Sequence, residues 1–185
     1  MKRILCTLLV LIVICVGTSA CGNETAPPET DLPETDQETE VPTPDGYAIY
    51  NNGSIAFAYP QDWTITDGST VILVNPSGIG NNITVVYEAK NDFYKTMGVS
   101  DFETQMQPLF EQMGMAISNP SVEQTQNQSG IAITKITFSN TVSGVQMRQT
   151  MYISTVGDKT YTVTVTETTP DAVLVETVFN TLKAN

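Results

Sequence analysis

Apolar positions recur along this chain with two different periods, and the change of period marks its elements. From Ser54 to Tyr59, Ile55, Phe57 and Tyr59 alternate with small residues, the two-residue period of a strand, and Pro60 ends the run. Val71–Val74 is a short apolar run, and Asn82–Glu88 alternates Ile83, Val85 and Tyr87, with Asn75-Pro76-Ser77-Gly78 a turn between them. The period then lengthens. Phe102, Met106, Leu109, Phe110 and Met113 follow at helical spacing, so the pattern predicts a helix with one buried face. Ser100 and Glu103 match a capping box at its start, Pro108 predicts a kink or a split, and Gly114 a stop.

Alternation then returns. Val122–Asn127 is a weak strand, Ile131–Phe138 a clear one, and Ser143-Gly144 turns the chain into Val145–Ser154. Gly157-Asp158 leads into Thr160–Glu167, where Tyr161, Val163 and Val165 are expected to face inward and Thr160, Thr162, Thr164 and Thr166 outward. A last helix is expected after Thr169-Pro170-Asp171, with Thr169 as cap and Leu174, Val175, Val178, Phe179 and Leu182 as its apolar stripe. The order is β-β-β-α-β-β-β-β-α. Runs of consecutive strands with few helices give an α+β domain, an antiparallel sheet of six or seven strands covered by helices.

These elements occupy residues 47–185 alone. Residues 1–20 divide instead into the parts of a signal peptide: Lys2 and Arg3, an apolar run from Ile4 to Val16, then Gly17-Thr18-Ser19-Ala20. The run is short of the roughly 20 residues that a spanning helix needs, which argues against a permanent membrane helix. Residues 22–46 carry eight acidic groups, five prolines, five threonines and no basic group. Such a stretch cannot bury enough surface to offset its ordering entropy, so residues 21–46 are expected to be a disordered acidic tether beginning at Cys21. The alternative use of that stretch is as an acidic ligand for a basic partner or for cell-wall cations.

Composition narrows the chemistry. Among 185 residues there are 8 Lys+Arg, 20 Asp+Glu and no His, for a net charge of −12. An acidic chain has no electrostatic footprint for nucleic acid. Without histidine there is no Ser-His-Asp or Cys-His arrangement and no histidine metal ligand. The three cysteines, Cys6, Cys15 and Cys21, all lie in the first 21 residues, so the domain holds no thiol nucleophile and no disulfide.

Two resemblances follow from these residues. Thr18-Ser19-Ala20-Cys21-Gly22 resembles the lipobox of bacterial lipoproteins, with Thr18 in the position where that family usually has Leu. The resemblance implies cleavage before Cys21, lipidation of Cys21 with palmitate-type chains, and anchoring to a cell membrane; ordinary secretion is the alternative. Ile55-Ala56-Phe57-Ala58-Tyr59-Pro60-Gln61-Asp62-Trp63, with Lys159-Thr160-Tyr161-Thr162-Val163-Thr164 and a closing helix through Phe179, resembles the PsbP-like α/β sandwich family. That likeness implies a fold and supplies no active-site motif.

Candidate chemistry in the domain is thin. Trp63 is either an exposed stacking platform or a plug in the core, and the core reading is preferred. Asp62, Asp67, Asp101 and Glu103 are the carboxylates considered for catalysis, with Asp101 and Glu103 already explained as helix-terminal charges. Asn51, Asn52, Asp62, Asp67, Asn81 and Asn82 are spaced as turns and not as a Ca²⁺ loop, and Gly78-Ile79-Gly80 lacks the setting of a dinucleotide loop. Met97, Met106, Met113 and Met115 are expected to fill the core, and any ligand groove is expected between the kinked helix and the sheet. The expectation is therefore a lipid-anchored, extracytoplasmic, non-catalytic binding or interaction module, with no cofactor and no metal. Its membrane contact is the lipid on Cys21, and its other partner is an envelope protein or small ligand. Capture of a small ligand for a transporter or sensor is the alternative, and a carboxylate hydrolase is third.

Overall fold

The structure, a computed structural model, describes residues 43–68, 70–76 and 80–185. The signal peptide, Cys21 and nearly all of the tether lie outside these residues.

The described chain forms β1 (Tyr47–Asn51), β2 (Ile55–Pro60), β3 (Thr64–Thr66), β4 (Val71–Val74) and β5 (Asn82–Ala89), then a helical stretch, then β6 (Ala116–Gln126), β7 (Ala132–Val142), β8 (Val145–Val156) and β9 (Lys159–Glu167). The helix α3 (Ala172–Thr181) and the short β10 (Lys183–Ala184) close it. Seven strands make one sheet in the order β3-β4-β5-β9-β8-β7-β6, and β1-β2-β10 make a second. All paired strands are antiparallel, as expected from hairpin-length connections. The α+β class and the seven-strand sheet follow the sequence. The three-strand sheet is additional, because β1 and β10 are too short to show an apolar period, and β3 at the edge of the large sheet is too short as well.

Parity along the strands assigns two cores to the two faces of the large sheet. On the first face Ile83, Val85, Tyr161, Val163, Val165, Tyr152 and Ile133 pack with Ile55, Phe57 and Tyr59 of β2 and with Leu174 and Val178 of α3. On the second face Ile136, Phe138, Met151 and Ile153 pack with Phe102, Met106 and Phe110 of the helical stretch. Consequently the threonines of β9 do not face solvent as the alternation predicts. Thr160, Thr164 and Thr166 are buried, since the sheet is covered on both sides there.

The helical stretch differs from expectation in two places. It consists of a 3-10 turn (Asp92–Thr96), α1 (Val99–Asp101), a π-helical turn (Phe102–Met106) and α2 (Gln107–Gln112). Gly98 is the N-cap, and its N–H donates to Asp101 Oδ2 at 2.9 Å; Ser100 and Glu103 are exposed and do not form the cap. Pro108 stands at the start of α2, and the expected division takes the form of a π turn between α1 and α2 instead of a gap. The proline's missing N–H would leave a carbonyl one turn earlier unpaired, and the wide turn in which Gln107 N donates to Phe102 O falls just before it.

At the C-terminal helix, Asp171 and not Thr169 is the cap, its Oδ1 accepting from Leu174 N at 2.9 Å. Strand β6 runs through Pro120 by a register shift between Ser118 and Ser121, with Asn119 at φ 52. An edge strand tolerates this, because the proline removes no ladder bond that a neighbour needs.

Candidate functional site

The space beneath the helical stretch is the place where the sequence locates a ligand groove. The structure fills it. Phe102, Phe110 and Phe138 form a triangle of ring contacts with centroids 5.3–6.2 Å apart. Met97, Met106, Met115 and Met151 occupy the remaining volume and are buried. Met113 packs against them half-buried. The methionines are core filling, as expected. Polar ties close the edge nearest β6 and β7: Gln124 Nε2 donates to the carbonyls of Tyr94 and Met97, and Thr134 Oγ1 to that of Tyr94.

Trp63 is a core residue, 8% exposed, packed in the first-face cluster after β2. Asp62 and Asp67 are exposed in the turns on either side of β3, and Glu103 is exposed on the helical stretch. Asp101 serves the Gly98 cap. The carboxylates considered for catalysis therefore do not converge, and among the described residues no three of His, Cys, Asp and Glu are grouped to hold a metal ion. Asn51 and Asn52 accept backbone hydrogen bonds in the β1–β2 turn, and Asn81 accepts from Thr168 N and Thr169 N while donating to Thr169 O. These are turn roles, as the spacing implies. Cys21 lies outside the described residues.

Among the described residues the one buried carboxylate is one that pattern reading passed over. Glu167 ends β9 and is 2% exposed. Its Oε1 accepts from Asp171 N at 2.6 Å, and its Oε2 faces Arg148 Nε at 3.9 Å. The signal was present: position 167 shares the parity of the inward residues Tyr161, Val163 and Val165. At the N-terminal end of α3 a carboxylate is favoured by the helix dipole, so Glu167 joins β9 to α3. It is a structural role.

Two phenols are held neutral far into the alkaline range. Burial pushes Tyr94 well above its usual value, with the nearby Glu88 carboxylate adding to it. Burial does the same for Tyr152, with Glu167 the next cause, and its hydroxyl donates to Val175 O at 2.8 Å. Each ties a helical element to the sheet. The exposed large apolar side chains, Ile49, Ile65, Tyr87, Val99, Val145 and Val173, stand on six different elements. Lys159 Nζ lies 4.4 Å above the Tyr87 ring and covers part of it. Among the described residues no helix is long and apolar enough to cross a membrane.

No family model matches the chain, and no curated protein aligns with it significantly. Solved structures do resemble it. A Bacteroides thetaiotaomicron protein superposes with a TM-score of 0.50 at 15% identity, over 76% of this chain. The match covers 48% of that protein, so this chain spans about half its length. A Pseudomonas aeruginosa protein of unknown function gives a TM-score of 0.38 at 15% identity, covering 66% of this chain and 83% of that one. LpqN, involved in cell envelope biogenesis of Mycobacterium tuberculosis, gives 0.37 at 12% identity, covering 75% and 90%. For the Bacteroides protein the likeness is one of fold alone: a mostly antiparallel α+β domain.

Proposed function

We propose that this chain is a membrane-anchored extracytoplasmic lipoprotein, whose PsbP-like sandwich domain is a non-catalytic binding or interaction module of the cell envelope. The observation that carries the reading is the order of segments at the start: basic residues, a short apolar run, small residues, Cys21, then an acidic tether. Each piece has a mechanical purpose in that order. The apolar run directs export, and the small residues fit a peptidase cleft. Two or three acyl chains on Cys21, at about 0.8 kcal/mol per buried CH₂, hold far better than a single marginal chain. The tether, extended by self-repulsion, lifts the domain by up to roughly 75–80 Å.

Within the domain, the arrangement of side chains favours an interaction role over a catalytic one. Asp101, Asp171 and Glu167 each accept a backbone N–H, and the cleft beneath the helical stretch is occupied by Phe102, Met106 and Phe110. Labelling of growing cells with radioactive palmitate tests the anchor. The wild-type protein takes up label and sediments with membranes, whereas Cys21→Ala loses both properties. Continued labelling of Cys21→Ala overturns the assignment of the cysteine. Native mass spectrometry of protein purified from its source tests the role, because a reproducible excess mass would favour small-ligand capture instead.

A further inference from the structure

The turn between β1 and β2 holds a reactive bond and the means of keeping it quiet. Asn52-Gly53 is the single Asn-Gly pair in the sequence. A glycine after asparagine offers an amide nitrogen with no side chain to hinder its approach to the asparagine Cγ. We infer that Asn52 is this chain's site of spontaneous deamidation, and that the β1–β2 turn gates it: shut while the turn is closed, reactive once it opens.

The step balances without any cofactor. The Gly53 amide loses its proton to solvent base, and its nitrogen bonds to Asn52 Cγ. The Cγ–Nδ2 bond breaks, and Nδ2 leaves as ammonia after taking up a proton. Water then opens the resulting succinimide at either carbonyl, giving aspartate or isoaspartate at position 52. The net change replaces NH₂ by OH, with nothing oxidised or reduced.

In the closed turn the Gly53 N–H and the Asn52 side-chain oxygen are both engaged. Gly53 has φ 82, as the first residue of a tight two-residue turn requires, and its N–H donates to Asn51 Oδ1 at 2.8 Å. The proton that must leave is therefore held. Asn52 Oδ1 accepts from Ser54 N and Ile55 N at 3.0 Å each, which fixes the side chain over the turn. Asn185 completes the lock. Asn185 Nδ2 donates to Asn51 Oδ1 at 2.7 Å, and Asn185 N donates to Ser54 O at 3.0 Å, just beyond the β10–β2 pairing. An isoaspartate at 52 adds a backbone atom to a two-residue turn, and so separates the partners that hold Asn185 in place.

The test incubates the full chain, in mild detergent and mildly alkaline buffer, with and without urea. Peptide mapping then separates the Asn, Asp and isoAsp forms. In urea, Asn52 is expected to convert before every other asparagine. In the native chain it is expected to convert roughly tenfold or more slowly, the factor by which opening is unfavourable. Asn51→Ala, with unchanged circular dichroism, frees the Gly53 N–H and is expected to speed native conversion. Asn51→Asp keeps the acceptor and is expected to stay near the wild-type rate. Native conversion as fast as in urea overturns the gate, as does an unchanged rate in Asn51→Ala. Earlier conversion of another asparagine in urea overturns the site.

Discussion

The two faces of the seven-strand sheet are covered by different materials. On the first face, β2 and α3 lay aliphatic and aromatic side chains over Val163, Val165, Ile83 and Val85, and β2 is further fixed by pairing with β1 and β10. On the second face, a short helical stretch interrupted by a π turn packs methionine and phenylalanine onto β7 and β8, while the neighbouring β9 and β5 present threonines. A backbone ladder holds the first cover. The second cover rests on side-chain packing and a few side-chain ties. The first face is thus expected to open only with global unfolding, and the second by release of the helical stretch.

Core truncation gives the largest effects. Phe57→Ala and Phe110→Ala each remove a fully buried ring and are expected to cost about 3–5 kcal/mol in denaturant titrations. They differ in where the loss is felt. Phe57→Ala lowers hydrogen-exchange protection throughout, whereas Phe110→Ala first exposes the amides of residues 99–112. Equal loss at β2 and β9 in both variants would erase the distinction between the faces.

Asn127 is the next largest lever, and it belongs to the first face. Its side chain donates to the carbonyls of Phe179 and Leu182 and accepts from Ser129 N and Ile131 N, so the β6–β7 turn is joined to the end of α3. Asn127→Ala leaves these groups unpaired and is expected to cost about 2–3 kcal/mol. Protection should fall at α3 and β10 and stay unchanged over residues 99–112.

How much of this was legible depends on whether burial imposed a period. The alternation of Ile55, Phe57 and Tyr59 marked β2 because one of its faces meets the core. The TYTVTV pattern of β9 marked a strand and misled about its environment, since Thr160, Thr164 and Thr166 are buried beneath a cover that the local sequence does not encode. Asp171 took the cap from Thr169 because the β9–α3 connection is positioned by Asn81, 88 residues away from Thr169 in the chain. Likewise Gln124 and Thr134 reach Tyr94 across 30 and 40 residues. The anchor proposed at Cys21 rests on the opposite kind of reading: a signal of that kind is read as a linear segment and needs no fold.

A smaller effect comes from Tyr94 and Tyr152, one on each face. The native state holds Tyr94 and Tyr152 protonated, while the unfolded chain releases both protons near a tyrosine's ordinary value of about 10. Above that pH the unfolded state binds fewer protons than the native one, so stability falls as pH rises; below it, the contribution of both phenols is fully present. Denaturant midpoints measured across that range should decline less steeply in Tyr94→Phe and in Tyr152→Phe than in the wild type.

The smallest expected effect separates the faces by its sign. Thr181, at the end of α3, accepts from Ala58 N at 2.8 Å and donates to Thr177 O, so its hydroxyl caps a backbone group of β2. Thr164 lies directly opposite Thr84 on the second face, and both hydroxyls are buried without a hydrogen-bond partner. Valine has nearly the shape of threonine and differs in exchanging the hydroxyl for a methyl group. Thr181→Val therefore orphans a buried N–H and is expected to destabilise by about 1–2 kcal/mol. Thr164→Val removes a desolvated hydroxyl that has no partner to lose, and is expected to leave stability unchanged or raise it by up to about 1 kcal/mol. Thermal unfolding of the two variants under identical conditions decides the matter. A loss at Thr164 as large as that at Thr181 would mean that its hydroxyl is satisfied in solution, and that the second face is as well paired as the first.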